Sequence, residues 1–232
     1  MIFCRQHGNQ TPFTFQLKFK ENCQNMTFNR TQGYARYYRV AAFMYRECRN
    51  NIGSVEANAI RGFLAVANAA PQPAFSATNR AAALATWYAK VRSEGDWDHK
   101  PDIIRICNLV GGDMHFPIFG DTTHEWFFDI WSNIHYGYVG ASVGFSESTL
   151  LAGANAGEIF GAGGNDPIDD AIVKIGIRMW HQSGANIGEH QIASEVIRRK
   201  NWLLNVQESR AYVNARGTFR HIVPMSRGTG QF

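Results

Sequence analysis

The chain has 232 residues, 45% of them apolar, 13% aromatic and 18% charged. This composition excludes a disordered chain, and no apolar run approaches the roughly 20 residues that cross a membrane. The net charge of +4 and pI of about 8.9 fit an anionic substrate and an ordinary basic protein equally well, so charge alone selects no partner.

The first residues, Met1 to His7, lack the long apolar stretch of a signal peptide. If the protein crosses a membrane, something other than a classical leader moves it, and the sequence is also compatible with one piece of a longer chain. Cys4, Cys23, Cys48 and Cys107 contain no CxxC spacing, which argues against a thiolate zinc site. A disulfide among the first three stays open, and free, mostly buried thiols are the plainer expectation. The sequons at Asn9, Asn25 and Asn29 are read as chance.

In chain order, Phe13 to Lys20 alternates apolar and polar residues as a half-buried strand does. Tyr34 to Cys48 turns helical. Ser54 is placed to cap a helix running to about Ala69, which Pro71-Gln72-Pro73 ends. A second helix is expected from near Thr78, with Leu84, Trp87, Tyr88 and Val91 as core residues. Gly95 to Gly140 mixes Asp and His with aromatics and glycines, and reads as loops and short turns that carry function. Helices resume at Glu147 to about Phe160, Asp166 to about His181 and Ile187 to about Val206. Arg198-Arg199-Lys200 reads as a solvated helix end, and Arg210 to Phe232 as a polar, extended tail. The periodicities give a mainly α chain with a few short strands.

Three constellations suggest chemistry. In Gly163-Gly164-Asn165-Asp166-Pro167-Ile168-Asp169-Asp170, Asp166 suits an N-cap and Pro167 the first helical position, with Ile168, Ile172, Ile175 and Met179 as the buried stripe. Capping does not call for a third acid at Asp170, and oxygen-rich clusters of this kind bind Ca²⁺ or Mg²⁺. In Asn133 to Gly140, His135 stands among aromatics and two glycines, and a histidine titrating near neutrality is a natural general acid or base. Asp96-Trp97-Asp98-His99-Lys100-Pro101 suits an anion, a metal or a plain surface turn. Asp113-x-His115 and His124-Glu125 are weaker. No HExxH, GxSxG or Walker loop is present, and Gly161-Ala162-Gly163-Gly164 lacks the following Lys-Ser/Thr.

Taken together, several stretches resemble the type 44 polymorphic toxin domain of bacteria. They are Trp97-Asp98-His99-Lys100, Phe128 to Gly140, Gly144-Phe145-Ser146 leading to Leu150-Leu151-Ala152-Gly153-Ala154, Asn165 to Asp170, and Ile175-Gly176-Ile177. The resemblance covers roughly residues 95–180, with His135-Tyr136-Gly137-Tyr138-Val139-Gly140 as its most specific piece. It implies an interbacterial toxin, secreted and neutralised by a cognate immunity protein. Two activities are implied: RNA cleavage, or attack on the lipid-carried cell-wall precursor, lipid II. For the second, two helical lobes flank a groove holding an aspartate-rich motif and a divalent cation. On that basis residues 1–94 form an N-terminal lobe and 95–232 the catalytic region. Carried over residue by residue, the resemblance points to Asp166, Asp169, Asp170, His135, Asp98 and Lys100.

The reading preferred from sequence is a metal-dependent hydrolase of a phosphate linkage in that precursor. His135, Asp166, Asp169 and Asp170 are its catalytic candidates, and Asp98, Asp166, Asp169 and Asp170 its ligands for Ca²⁺ or Mg²⁺. Lys100, Tyr136 and Tyr138 are the substrate-binding candidates. A bound cation neutralises phosphate oxygens and lowers the pKa of water. The toxin is then expected in the periplasm, at the outer face of the target's cytoplasmic membrane. An RNase built on His135 is the alternative, although clustered acids repel RNA and no dense basic stripe is evident. A Ca²⁺-stabilised, non-enzymatic binding module is the second alternative; it needs the acids but not His135.

Overall fold

The computed structural model describes residues 34–160 and 166–225. The expected strand at Phe13 to Lys20, Cys4, Cys23 and the turn at Gly161 to Asn165 lie outside these residues. Among the described residues the chain is mainly helical, with ten helices and one three-stranded antiparallel sheet. No helix there is long and apolar enough to cross a membrane. Cys48 and Cys107 are free, buried thiols.

Helix α1 covers residues 34–52, and α2 (Val55–Ala69) follows directly. Ser54 caps α2 as expected, its side chain accepting from the Ala57 amide, and Ala57, Ile60, Leu64 and Ala67 form the buried stripe. Helix α3 (Pro73–Val91) begins earlier than the expected Thr78. Proline costs nothing at a first helical position, where its missing N–H has no partner to lose, so Pro71-Gln72-Pro73 ends one helix and starts the next. Of the four expected core residues on α3, Trp87 is buried, whereas Leu84 and Tyr88 are 44% and 60% exposed. The buried face of α3 is narrower than its apolar spacing suggests, with Ala83 and Trp87 along it.

The stretch from Gly95 to Gly140 departs most from expectation. It contains α4 (Lys100–Cys107), β1 (His115–Pro117), β2 (His124–Phe127) and most of α5 (Ile130–Ser142). Helix α5 carries no amphipathic stripe because it is buried on nearly every face, and a helix buried all round loses the 3.6-residue signal. Its small residues let α7 (Pro167–Ser183) approach backbone to backbone. A Cβ at Gly137 would collide with the Val173 carbonyl, and one at Gly176 with the Ile134 carbonyl. Ile168, Ile172, Ile175 and Met179 are buried as expected. Helix α6 (Glu147–Phe160) matches its expected span.

The expected helix from Ile187 to Val206 is two, α8 (Gln191–Arg198) and α9 (Lys200–Gln207), which meet at Arg199. The basic triplet therefore spans a joint and is held there. Arg198 and Arg199 pair with Glu195, and Lys200 Nζ donates to Asp121 Oδ1 at 3.0 Å. The expected tail is also structured, with α10 (Arg210–Arg216) and β3 (Ile222–Pro224). Strand β2 is central: His115 pairs with Phe127, and Glu125 with Val223. Buried Gln207 pins β3 from α9. Its amide donates to Ile222 O at 2.8 Å and its oxygen accepts from Ile222 N at 2.9 Å.

Candidate functional site

The sheet brings two distant segments together. Phe127 N donates to His221 O at 2.7 Å, so His221 sits beside the turn that carries Phe128 and Asp129 into α5. Helix α7 offers its N-terminus to the same place. Asp166 caps it, accepting from Ile168 N at 2.8 Å, and Asp169 lies in its first turn. His221 Nε2 is thus 3.5 Å from Asp169 Oδ1, 3.7 Å from Asp166 Oδ2 and 3.8 Å from Asp129 Oδ1. All four side chains are buried.

Cations face these carboxyl groups. Arg216, at the end of α10, donates from Nε to Asp166 Oδ2 at 2.5 Å and from a terminal nitrogen to Asp169 Oδ2 at 3.5 Å. Lys100 Nζ lies 3.8 Å from Asp129 Oδ2. Asn133, one helical turn beyond Asp129, donates to Asp169 Oδ1 at 2.6 Å. The His221 ring is fixed from behind by Tyr212, whose hydroxyl donates its single proton to Phe219 O at 3.1 Å. That hydroxyl can therefore only accept from His221 Nδ1, also 3.1 Å away. Nδ1 carries hydrogen and Nε2 faces three acids.

Proton affinities follow from this arrangement. Burial works against the His221 cation, but the hydrogen bond to Asp169 and the charges of Asp129, Asp169 and Asp166 outweigh it and raise its pKa. Burial, with help from Asp169, pushes Asp129 up to about 6 against the opposing pull of His221 and Lys100. An acid near 6 and a base held protonated, side by side, form a pair suited to proton transfer at neutral pH. Asp170, on the outer side of the same turn, is raised mainly by burial.

The donor set also fits a divalent cation. Asp129, Asp169 and His221 each offer a ligand atom, all within 4.8 Å of one another, and Asp129 Oδ1 has no hydrogen-bond partner among the described residues. The Tyr212 hydroxyl behind Nδ1 is the kind of outer contact that orients a ligating imidazole. Oxygen donors alone suit Ca²⁺ or Mg²⁺, while an imidazole extends the set to Mn²⁺ and Zn²⁺.

Residues 86–182 match the family model for bacterial toxin 44. This segment is a bacterial toxin 44 domain. No curated protein and no solved structure matches the chain. The toxin 44 match contains Lys100, Asp129, Asn133, Asp166 and Asp169, while Arg216 and His221 reach the cluster from the C-terminal side of it.

Of the residues singled out from sequence, Asp166, Asp169 and Lys100 meet in this cluster. Asp170 adjoins it, with Oδ1 buried and without a hydrogen-bond partner among the described residues. His135 is elsewhere. Successive helical residues turn by about 100°, so Asn133 and His135 point to nearly opposite sides of α5. His135 is enclosed with Asn51 and His99. Asp98 accepts from the Glu94 and Lys100 amides, closing the turn before α4. Tyr136 donates to Leu150 O and Tyr138 to Gly184 O, which are packing roles. Asp129, Asn133, Tyr212, Arg216 and His221 were not anticipated. The helical spacing of Asp129 and Asn133 was available as a signal, but nothing local marks His221 or Arg216.

Proposed function

We propose that this toxin domain hydrolyses a phosphate linkage at the cluster of Asp129, Asp166, Asp169 and His221. The observation that supports it most is the convergence of three buried carboxyl groups on one imidazole nitrogen. Burying ionisable groups is costly, and the raised Asp129 and His221, side by side, are the kind of shifted pair that clusters at functional sites.

Lys100, with its side chain 43% exposed, and Arg216, 27% exposed, stand on the solvent side of the cluster. They orient an incoming phosphate by its charged oxygens. A water between that phosphate and Asp129 gives its proton to the carboxylate and its oxygen to phosphorus. The bond to the leaving oxygen breaks, and His221 supplies the proton that the leaving group takes. Asp166 and Asp169 keep His221 charged, while Asn133 and Arg216 hold Asp169 in place. A divalent cation held by Asp129, Asp169 and His221 would stabilise phosphate charge and acidify water; His221 would then bind the ion, and the leaving oxygen would take its proton from solvent.

The preferred substrate is a lipid-carried cell-wall precursor. Its pyrophosphate is a compact anion, in keeping with two cations at the mouth of a small acidic site. RNA asks for an extended basic track, and His135, the base of the RNA-cleaving alternative, is enclosed among side chains. The site of action is then the outer face of the target's cytoplasmic membrane, with a cognate immunity protein as the partner. Directing the chain to the periplasm of a sensitive bacterium tests this. Killing there and tolerance of cytoplasmic expression support the reading; killing only from the cytoplasm, with degraded RNA, overturns it.

A further inference from the structure

Away from that cluster, three nitrogens meet inside the protein. His99 Nε2 and His135 Nε2 are 3.3 Å apart, and Asn51 Nδ2 lies 3.0 Å from the second and 3.4 Å from the first. Glu47 Oε2 stands 3.9 Å from His99 Nε2, on the side where its own chain is 23% exposed. The two imidazoles are nearly perpendicular, and both histidines are 1% exposed. Four side chains from three places thus converge. Glu47 and Asn51 are one turn apart on α1, His99 precedes α4 and His135 is on α5.

Hydrogen bonding alone serves this triangle poorly. Each neutral imidazole has one N–H and one lone pair. If the Asn51 amide donates to both Nε2 atoms, both Nδ1–H groups must find acceptors. Neither His99 Nδ1 nor His135 Nδ1 has a hydrogen-bond partner among the described residues. A metal on both Nε2 atoms leaves the same two Nδ1–H groups, so the choice between the two readings rests on the distances around Nε2.

A metal ion accounts for the same distances. An ion with tetrahedral nitrogen bonds of roughly 2.0–2.1 Å sets its ligand atoms roughly 3.3 Å apart. The triangle already has edges of 3.0, 3.3 and 3.4 Å. Turning the Asn51 amide by 180° presents its oxygen at the same point, and the Glu47 carboxylate, 3.9 Å from His99 Nε2, swings inward to close the open side. Burial holds His99 down to about 4 and His135 well below its usual range, so both lone pairs are free of protons at neutral pH.

We propose that His99, His135 and Asn51, closed by Glu47, form a second metal site that takes a divalent d-block ion of the Zn²⁺ class. The ion ties α1, which lies outside the toxin 44 match, to two segments inside it. Its role is to join the N-terminal part of the chain to the domain, and it does not depend on the phosphate reading.

The test is a Co²⁺ titration of the metal-free full chain carrying Asp169→Asn, which removes one ligand from the other cluster. The expected result is one equivalent of Co²⁺ with the visible bands of a four-coordinate ion, displaced by Zn²⁺. Adding His99→Gln or His135→Gln should abolish those bands. Should either variant fail to fold, X-ray absorption of the Zn²⁺-loaded Asp169→Asn chain decides, with two imidazoles expected around the metal. Absence of saturable Co²⁺ binding, bands that survive in folded His99→Gln or His135→Gln protein, or a shell with fewer than two imidazoles overturns the proposal.

Discussion

His221 Nε2 lies 3.5 Å from Asp169 Oδ1, although the two residues are far apart in the chain and only one of them falls within the toxin 44 segment. The sheet makes this contact. Strand β3 pairs with β2, the Phe127 amide takes the His221 carbonyl, and the side chain is left facing the first turn of α7. If this contact carries the chemistry, His221→Ala should lower toxicity and hydrolysis by about 10²–10⁴-fold, the usual contribution of a positioned proton donor. The melting temperature should fall as well, since His221 is the buried partner of three acids, so activity is compared per folded protein. Activity within about threefold of the parent would reassign His221 to structure.

Arg216 gives a stability prediction. It faces Asp166 and Asp169 together, and removing it takes one of the cations, beside His221, from two buried carboxyl groups. Breaking a fully buried pair costs about 3–5 kcal/mol; Arg216 is partly open to water, so Arg216→Ala should cost about 2–3 kcal/mol. At roughly 2–4 °C per kcal/mol for a chain of this size, thermal unfolding should move down by about 4–12 °C. An unchanged melting temperature would show that the pair is solvated.

The close crossing of α5 and α7 predicts intolerance of a single methyl group. Gly137→Ala and Gly176→Ala each drive a Cβ into a backbone carbonyl of the other helix, where no rotamer gives way. Each should cost at least about 3 kcal/mol, the upper end of overpacking penalties, and soluble yield should fall accordingly. Gly62→Ala, on α2 with open space around it, is the matched control and should be neutral or slightly stabilising.

Acid should unfold the metal-free protein through His99 and His135. Both are held neutral in the fold by burial, His99 down to about 4. Once unfolded they regain an ordinary pKa near 6.5. As pH falls below about 6.5 the unfolded chain binds protons that the folded chain refuses, so stability drops by about 1.4 kcal/mol per pH unit for each histidine. For His99 the loss stops near pH 4, where the folded form is protonated too. Denaturant titrations at pH 7, 6 and 5 should show a net loss, partly offset below about pH 6 by Asp129, whose folded form takes up a proton before the unfolded chain does. His99→Gln should shrink the loss. A slope unaffected by that substitution would place the acid sensitivity elsewhere.

The sequence revealed parts of this molecule where structure is local. Ser54, the Asp166-Pro167 cap and the Ile168 to Met179 stripe were legible because capping and helical periodicity act within a few residues. Helix α5 was not, since burial on all sides removes the polar face that marks a helix. The break at Arg199 was hidden because the Lys200–Asp121 contact that holds the joint is a tertiary one. The site divides the same way. Asp166 and Asp169 stood out as an acidic turn, and Lys100 through its motif. His221 and Arg216 come from a stretch that reads as a polar tail, and only the pairing of β3 with β2 and the docking of α10 bring them in. His135 attracted attention for sound local reasons, but the direction of α5 turns it toward His99 and away from the acids.

Product analysis with purified protein tests hydrolysis at the Asp129, Asp166, Asp169 and His221 cluster. Wild type and Asp169→Asn are incubated in parallel with the lipid-carried pyrophosphate precursor and with total RNA, each with a divalent cation and with a chelator. Wild type should release a phosphorylated product from the lipid, Asp169→Asn should abolish this release, and RNA should stay intact; loss of release with the chelator would assign His221 to the cation, and retention would assign it to proton transfer. Cleaved RNA with untouched lipid, or lipid hydrolysis by Asp169→Asn at the wild-type rate, would contradict the proposed reaction.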